Sequence, residues 1–124
     1  MADTFKKSFD APDEVRTPPK AKVDVVNFGE ATAMRATFEP GWKWSECVKP
    51  IAGTDSCQTA HFGYVESGTL VVRMDDGTEL TFAAGDVMHV PAGHDAWVEG
   101  DEPCVAFDFQ GAANYAVPKA GAAG

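Results

Sequence analysis

The chain has 124 residues, 44% of them hydrophobic, which is enough for one domain whose core needs neither a disulfide nor a structural metal. Its formal net charge is −9 and its lysines and arginines are scattered, so a phosphate backbone or an anionic membrane surface would repel it. No run of about 18 apolar residues is present that could span a membrane. Composition therefore argues against nucleic-acid and membrane partners.

Cysteine usage and the N-terminal sequence indicate the compartment. Cys47, Cys57 and Cys104 cannot all pair within one chain, and none of them has the C-x2-C spacing of a structural zinc site. The first residues, MADTFKKSFDAPDEV, contain no apolar segment typical of a secretory signal. We expect reduced thiols and a cytoplasmic protein.

The sequence divides into three segments of different character. Residues 1–21 are polar, contain three prolines and have no helical period, which predicts an extended N-terminal arm. Such an arm either docks on a neighbouring subunit or frays, and we favour a homodimer. Residues 22–111 form the predicted β-domain, and residues 112–124, rich in small residues, form a predicted flexible C-terminal tail.

The β-domain begins with strands predicted at residues 22–28 and 31–40, followed by a break at Pro40-Gly41. Residues 42–49, WKWSECVK, are predicted to be extended, with alternate side chains on opposite faces. Residues 50–60 are rich in turn formers and predict a loop that could contribute to the mouth of a cavity.

From residue 61 onward the strand signal is strong. Asp76-Gly77 stands between two alternating runs and predicts a tight hairpin turn. Further strands are predicted at residues 86–91, 95–100 and 104–109. About eight short strands with turn residues at each join predict an all-β sandwich or barrel.

Two stretches of the β-domain resemble the motifs of the cupin superfamily. The second cupin motif, G-D-x4-P-x-G-x2-H, is matched at Gly85, Asp86, Pro91 and Gly93. The end of the first motif is matched at Tyr64, Val65 and Gly68. The resemblance spans about residues 38–109 and implies a cupin-type double-stranded β-helix, a jelly-roll barrel that can hold one small ligand.

The usual metal ligands of that family are altered here. His61 occupies the place of the glutamate ligand, seven residues before Gly68. The histidine that ends the second motif is replaced by Ala96, with His94 two residues earlier. The H-x-H pair that opens the first motif falls near Cys47 and Lys49.

The resemblance makes His61 and His94 the best metal candidates. Residues two apart in a strand point the same way, so His94 could address the cavity in place of position 96, although it could instead cap the turn and donate to a backbone carbonyl. Cys47 would be the third ligand, with Glu46 taking its place if the register shifts by one, or it could be an apolar filler. Cys57 is a weaker candidate. Neutral imidazole suits zinc, iron, nickel and copper alike, and a thiolate favours zinc or copper.

A small-molecule pocket is predicted beside these ligands. Its candidate lining residues are Trp44, Lys49, Tyr64, Trp97 and Phe107, with Lys49 suited to an anionic ligand. Aromatic residues on strands are also common core residues, and His89 is expected to be a packed or surface histidine.

The resemblance implies a small cytoplasmic cupin that binds a small molecule in its barrel beside a divalent transition metal. Dioxygenase, isomerase or decarboxylase chemistry would follow if it is an enzyme. The alternative is a metal-free, non-catalytic binding or sensing module, which the altered ligand set also fits. A third hypothesis is an interaction protein that dimerises through its arm and a sheet face.

Overall fold

The computed structural model describes residues 4–112 and residue 115, and in that part the chain forms nine strands and two one-turn helices. In chain order they are β1 (Glu14–Arg16), β2 (Ala21–Asn27), β3 (Thr32–Phe38), α1 (Trp44–Cys47), α2 (Lys49–Ala52), β4 (His61–Ser67), β5 (Thr69–Met74), β6 (Glu79–Ala83), β7 (Val87–Val90), β8 (His94–Val98) and β9 (Cys104–Asp108). Neither helix has the length or apolar character that a membrane-crossing helix needs.

The strands form two antiparallel sheets. The larger sheet has the strand order β1-β2-β3-β9-β4-β7, and the smaller one has the order β6-β5-β8. Their inward side chains, such as Val25 and Val65 from the larger sheet and Val72 and Val98 from the smaller, belong to one buried core. Alternating strands bury one face each, so this arrangement confirms the prediction of an all-β fold.

The hairpin predicted at Asp76-Gly77 is confirmed, because β5 and β6 are paired on either side of it. Gly77 has φ +94°, a left-handed conformation that glycine adopts without a steric penalty. The Met74 carbonyl accepts the Gly77 amide, and the Met74 amide donates to the Thr78 carbonyl.

The prediction of an extended segment at residues 42–49 is wrong, because this part of the chain folds into α1 and α2. Trp44, Cys47 and Val48 are buried at a spacing of three and four residues, which is the period of a helix face. Pro50 lies in the first turn of α2, where proline is tolerated, and Gly53 ends the helix at φ +75°.

The N-terminal segment lies on the chain's own sheet. β1 pairs with β2, and the Phe9 ring lies 5.4 Å from the Phe107 ring on the outer face of the larger sheet. Arg35 donates to the Phe9 carbonyl at 3.2 Å and also pairs with the buried Asp24 carboxylate. Most of the predicted C-terminal tail lies outside the described residues, but Ala112 and Tyr115 are described and both are buried.

Gly63 marks the closest approach between β4 and β9. A Cβ atom at this position would lie 1.7 Å from the carbonyl oxygen of Phe107 and 2.9 Å from the Cα of Asp108. Both neighbours are backbone atoms, so the strands could accept a side chain only by moving apart. A glycine here lets the two strands that carry His61 and Asp108 pair closely.

We predict that Gly63→Ala lowers the free energy of unfolding by about 3 kcal/mol, since overpacking between two paired backbones cannot relax through side-chain motion. Urea unfolding monitored by circular dichroism would measure the loss. Gly29→Ala is the matched control: Gly29 has φ +87°, and a Cβ atom added there would meet nothing within 4 Å, so only backbone strain of about 1 kcal/mol is expected. Equal losses in the two variants would contradict the prediction.

Candidate metal centre

A small cavity lies between the two sheets, with a volume of about 40 Å³. Its walls are mostly apolar, with Met34, Leu70, Val72 and Met88 among the lining residues. Four residues with polar side chains also line it: His61, His94, Asp108 and Tyr115. A volume of this size holds only a few water-sized groups, so any ligand inside it must be small.

Three side chains with metal-binding atoms meet beside this cavity, and two of them, His61 and His94, line it. Cys57, His61 and His94 each offer one ligand atom, and the three atoms all lie within 4.8 Å of one another. The Cys57 Sγ lies 3.7 Å from the His61 Nε2, and the two imidazole rings have centroids 5.2 Å apart. Cys57 and His94 are only 2% and 3% exposed, so the cluster is shielded from solvent.

Cys57 reaches the cluster through a backbone bridge to His94. The Cys57 amide donates to the His94 carbonyl at 2.7 Å, and the Cys57 carbonyl accepts the amides of Gly93 and His94 at 2.7 and 3.3 Å. Directly paired residues of antiparallel chains present their side chains on the same face. The loop before β4 is therefore attached to β8 at the point where both side chains can turn inward.

His61 is oriented by Asp108, which projects inward from the neighbouring strand β9. The His61 Nδ1 is hydrogen-bonded to one Asp108 carboxylate oxygen, and the other accepts the amides of Phe62, Gln110 and Gly111 at 3.2, 2.8 and 3.1 Å. The carboxylate is thus held by backbone donors and fixes the ring. The Nε2 atom of His61 is left to face Cys57.

His94 is oriented by the turn that precedes it. Its Nδ1 donates to the Pro91 carbonyl at 2.8 Å, which leaves the Nε2 lone pair available to a metal. From the sequence, turn capping and cavity binding are alternatives for this residue. The structure shows the cap and also places His94 in the cluster.

Burial and hydrogen bonding shift the pKa values of Cys57 and His61 in opposite directions. Burial raises the pKa of the Cys57 thiol, but hydrogen bonds from His61 and His94 outweigh it and bring the pKa to about 6. Burial lowers the pKa of His61, but Asp108 and Cys57 outweigh it and raise that pKa to about 9. For Cys104, burial is the one cause of the shift, and it raises the pKa of the thiol to about 11. At neutral pH, Cys57 is therefore a thiolate beside an imidazolium.

The donor set fits a transition metal. In a tetrahedral zinc site with typical Zn–S and Zn–N bonds, sulfur and nitrogen ligands lie about 3.6 Å apart, close to the 3.7 Å between Cys57 Sγ and His61 Nε2. Both histidines have an oxygen partner on Nδ1, the arrangement that commonly supports metal-binding imidazoles. A thiolate is available at neutral pH, and a metal would displace the proton of His61.

Two residues proposed as ligands from the sequence lie apart from this cluster. Cys47 is buried in the core, and among the described residues the group of converging ligand atoms does not include it. Glu46 is exposed to solvent. The cause is α1, since a helical turn directs successive side chains around its axis instead of to alternate faces.

The predicted pocket residues are divided between the inside and the outside of the barrel. Trp44 lines the cavity. Tyr64 and Phe107 stack on each other on the outer face of the larger sheet, and Trp97 lies under the Lys43 ammonium group. Lys49 lines a separate surface depression with Ser45 and Asp55.

Three residues of the site were missed or given little weight in sequence analysis. Cys57 was placed below Cys47, and Asp108 and Tyr115 were not considered as site residues. Strand β9 carried a usable signal: Cys104, Ala106 and Asp108 alternate with Val105 and Phe107, and the small set faces inward. Aromatic residues were expected inside, but small side chains are what leave room for a cavity.

Comparisons with known proteins agree with this fold. The family model for the cupin domain matches residues 52–109. Oxalate decarboxylase from Bacillus subtilis is similar with a TM-score of 0.53 and 28% identity, over 80% of this chain but only 27% of that chain. A cupin-superfamily sugar phosphate isomerase from Silicibacter pomeroyi gives a TM-score of 0.61 and 19% identity, over 84% of this chain and 73% of that chain.

A protein of unknown function from Rhizobium leguminosarum is similar along nearly its whole length, with a TM-score of 0.60 and 20% identity over 88% of this chain and 98% of that chain. The search of curated proteins finds no match. The cupin domain model matched over residues 52–109, the two antiparallel sheets and these structural neighbours together confirm the predicted resemblance to the cupin superfamily and the all-β jelly-roll fold.

Proposed function

We propose that this protein is a small metal-dependent cupin, which binds a divalent transition metal through Cys57, His61 and His94 and a small molecule at the remaining coordination position. The observation that carries the proposal is the convergence of three buried ligand atoms, all within 4.8 Å of one another, two of them from residues that line the barrel cavity. Three protein ligands with an open fourth position are typical of catalytic rather than structural zinc sites.

The ligand set favours zinc or copper among the four metals considered, because sulfur is a soft donor. When bound, the metal supplies Lewis-acid chemistry to the small molecule. Asp108 and the Pro91 carbonyl hold the two imidazoles in place, and the apolar walls exclude bulk water.

The size of the cavity restricts the reaction. Pockets for drug-sized ligands have volumes of about 300–1,000 Å³, far above the 40 Å³ found here. A sugar phosphate, the substrate class named for one structural neighbour, does not fit this cavity. Decarboxylase or dioxygenase chemistry on a compound of few atoms suits it better than isomerisation of a sugar phosphate.

We predict about one equivalent of zinc or copper in protein purified without added metal or reconstituted with it, measured by elemental analysis. Cys57→Ala and His94→Ala should each weaken metal affinity by about a hundredfold or more, since a direct ligand is worth at least as much as its supporting partner. Cys47→Ala and His89→Ala are matched controls, because neither residue belongs to the converging group, and both should keep the metal.

The same measurement separates the two classes of function. Stoichiometric metal that is lost in the Cys57 and His94 variants but kept in the controls supports the metal-dependent cupin. Protein that takes up no metal even on reconstitution would instead support the metal-free binding or sensing module.

We predict that Asp108→Asn weakens metal affinity by about 10- to 100-fold, because the amide lacks the charge that orients and polarises the His61 imidazole. Competition with a coloured chelator would measure the change. Asp95→Asn is a suitable control: Asp95 accepts the backbone amides of Ser45 and Ala96 and is not in the cluster. Unchanged affinity in Asp108→Asn would show that the carboxylate does not support the metal ligand.

We also propose that the protein is a homodimer that associates through an outer patch formed by Phe62, Tyr64, Val87 and Phe109. These side chains are 50%, 38%, 68% and 54% exposed, and the first three lie side by side on the paired strands β4 and β7. Exposed apolar side chains in one cluster are typical of an association surface. β7 is the last strand of its sheet among the described residues.

We predict that Phe62→Glu together with Val87→Glu shifts the protein from twice the mass of one chain to a single chain in sedimentation equilibrium, because two buried carboxylates would oppose association. Leu80→Glu is the control, since Leu80 is 60% exposed on the other sheet and should leave the dimer intact. Wild-type protein that sediments as a single chain would refute the proposal.

We place the protein in the cytoplasm, because Cys47, Cys57 and Cys104 are all free thiols and such thiols persist in a reducing compartment. Because all three thiols are buried and Cys57 is a proposed metal ligand, alkylation in a denaturant with a chelator, applied at cell lysis, should label three thiols per chain. A disulfide in the freshly isolated protein would argue against this location.

A further inference from the structure

The two sheets part along one side of the barrel, between β6 and β7. These strands follow each other in the chain, yet within the described residues each is the outermost strand of a different sheet. A tight turn connects them, in which the Asp86 amide donates to the Ala83 carbonyl at 2.9 Å and the Asp86 carboxylate accepts the Ala83 amide at 2.8 Å. We call the gap between the two strands beyond this turn the seam.

The exposure of Leu80 shows that the seam opens the inner face of β6 to solvent. Leu80 is paired with Val72, and directly paired residues of antiparallel strands present their side chains on the same face. Val72 is 5% exposed and belongs to the core, so Leu80 also faces inward. Phe82, on the same face but nearer the turn, is 9% exposed, whereas Leu80 is 60% exposed. The seam therefore widens with distance from the turn.

The seam contains a second cavity, with a volume of about 90 Å³. Its lining is apolar except for two residues with polar side chains, Thr78 and His89. Val72 from the smaller sheet and Val90 from the larger sheet line this cavity, and both also line the inner cavity beside the metal-binding cluster. The wall between the two cavities thus includes one valine from each sheet.

A passage through this wall requires less disruption than a passage between paired strands. The metal-binding cluster is buried, with His94 only 3% exposed, so a small molecule that reaches it must cross the wall of the barrel. Crossing within a sheet would break ladder hydrogen bonds, as between β4 and β9. At the seam the two sheets are joined by side-chain packing, and rotation of Val72 and Val90 breaks no hydrogen bond or ion pair.

We propose that the seam is the entrance through which an uncharged molecule of a few atoms reaches the metal centre, and that Val72 and Val90 form its gate. The inference rests on the proposed function for the purpose of the passage, whereas the passage itself needs no metal. Its apolar lining would strip a charged molecule of its hydration at a high cost. Among the reactions considered above, this entrance suits dioxygen better than a carboxylate substrate.

The test uses metal-free, full-length protein in which Trp97→Phe leaves Trp42 and Trp44 as the two fluorescent tryptophans, both of which line the inner cavity. Fluorescence lifetimes measured under increasing dioxygen pressure give the rate at which dioxygen reaches them. We expect quenching by dioxygen and little quenching by iodide, which is charged.

The seam can be blocked by chemical modification. Leu80→Cys introduces an exposed thiol, whereas Cys47, Cys57 and Cys104 are buried, so a bulky maleimide should label the new thiol alone in the folded protein. This label should slow dioxygen quenching by about fivefold, because it covers the route to the gate. Thr81→Cys with the same label is the matched control, since Thr81 is the adjacent exposed residue of β6 and lies on its other face.

Opening the gate should have the opposite effect. Val90→Ala should accelerate dioxygen quenching severalfold, because the smaller side chain leaves the two cavities connected. Val23→Ala is the control for a general loss of core stability: Val23 is fully buried but lines neither cavity, so the quenching rate should stay at the level of the parent protein.

Each outcome has a distinct meaning. Equal quenching in the labelled Leu80→Cys and Thr81→Cys proteins would place the entrance elsewhere and overturn the proposal. Iodide quenching as strong as dioxygen quenching would overturn the apolar character of the route. Because these measurements use metal-free protein, they are independent of the elemental analysis that decides the metal site.

A second measurement uses the wild-type chain and does not depend on any variant. Dissolved dioxygen is paramagnetic and speeds the relaxation of methyl groups beside it in nuclear magnetic resonance spectra. The methyl groups of Val72 and Val90 should respond more strongly than those of Val23 and Val65, which are fully buried but line neither cavity. An equal response from all four valines would refute the proposed passage.

Discussion

The centre of this molecule depends on the short backbone bridge between Cys57 and His94. These hydrogen bonds, together with the one from the Ser56 hydroxyl to the Asp75 carboxylate, attach the loop before β4 to the barrel and hold the thiol facing the imidazoles. The bridge lies at the edge of the smaller sheet, where β8 begins, so the barrel itself defines where the loop attaches. Cys57, although a loop residue, is therefore held as firmly as a residue within a strand. A metal ligand needs a position fixed in this way.

A second constraint is the chain of groups that runs from Cys57 through His61 to Asp108. The thiolate, the imidazolium and the carboxylate alternate in charge, and three backbone amides complete the carboxylate end. Such a chain survives burial because every charge has an opposite neighbour. A metal ion would take the place of the proton between the Cys57 sulfur and the His61 Nε2 atom. The residues that stabilise this ion pair would therefore also orient the two side chains as metal ligands.

Much of the fold follows from local sequence signals. Asp76-Gly77 has the chemistry of a tight turn wherever it occurs, and the glycines at 85 and 93 also take left-handed conformations that other residues avoid. The helix at Trp44 was missed because tryptophan, cysteine and valine are common in strands, and a four-residue helix shows too few turns for its period to stand out. Burial against the rest of the core, rather than intrinsic helix propensity, determines the conformation of residues 44–47.

The site was predicted only in part, for a physical reason. His61 and His94 could be found because each lies at a defined offset from a turn glycine. Cys57 could not be found in this way, because its position depends on pairing with His94, which is far away in the sequence. The composition of the loop does not indicate which residue pairs with it. Phe107 was expected inside the barrel, yet Ala106 and Asp108 face inward and Phe107 stacks on Tyr64 outside.

The contact of Arg16 with the carbonyls of Ala112 and Tyr115 joins regions 96 and 99 residues apart. A growing polypeptide therefore cannot complete its core until all nine described strands have been synthesised. Contacts between such distant positions form late and slowly, because long loops must close first. Metal arriving during synthesis would meet an open half-barrel, and enclosure by Tyr115 would come as one of the last steps of maturation.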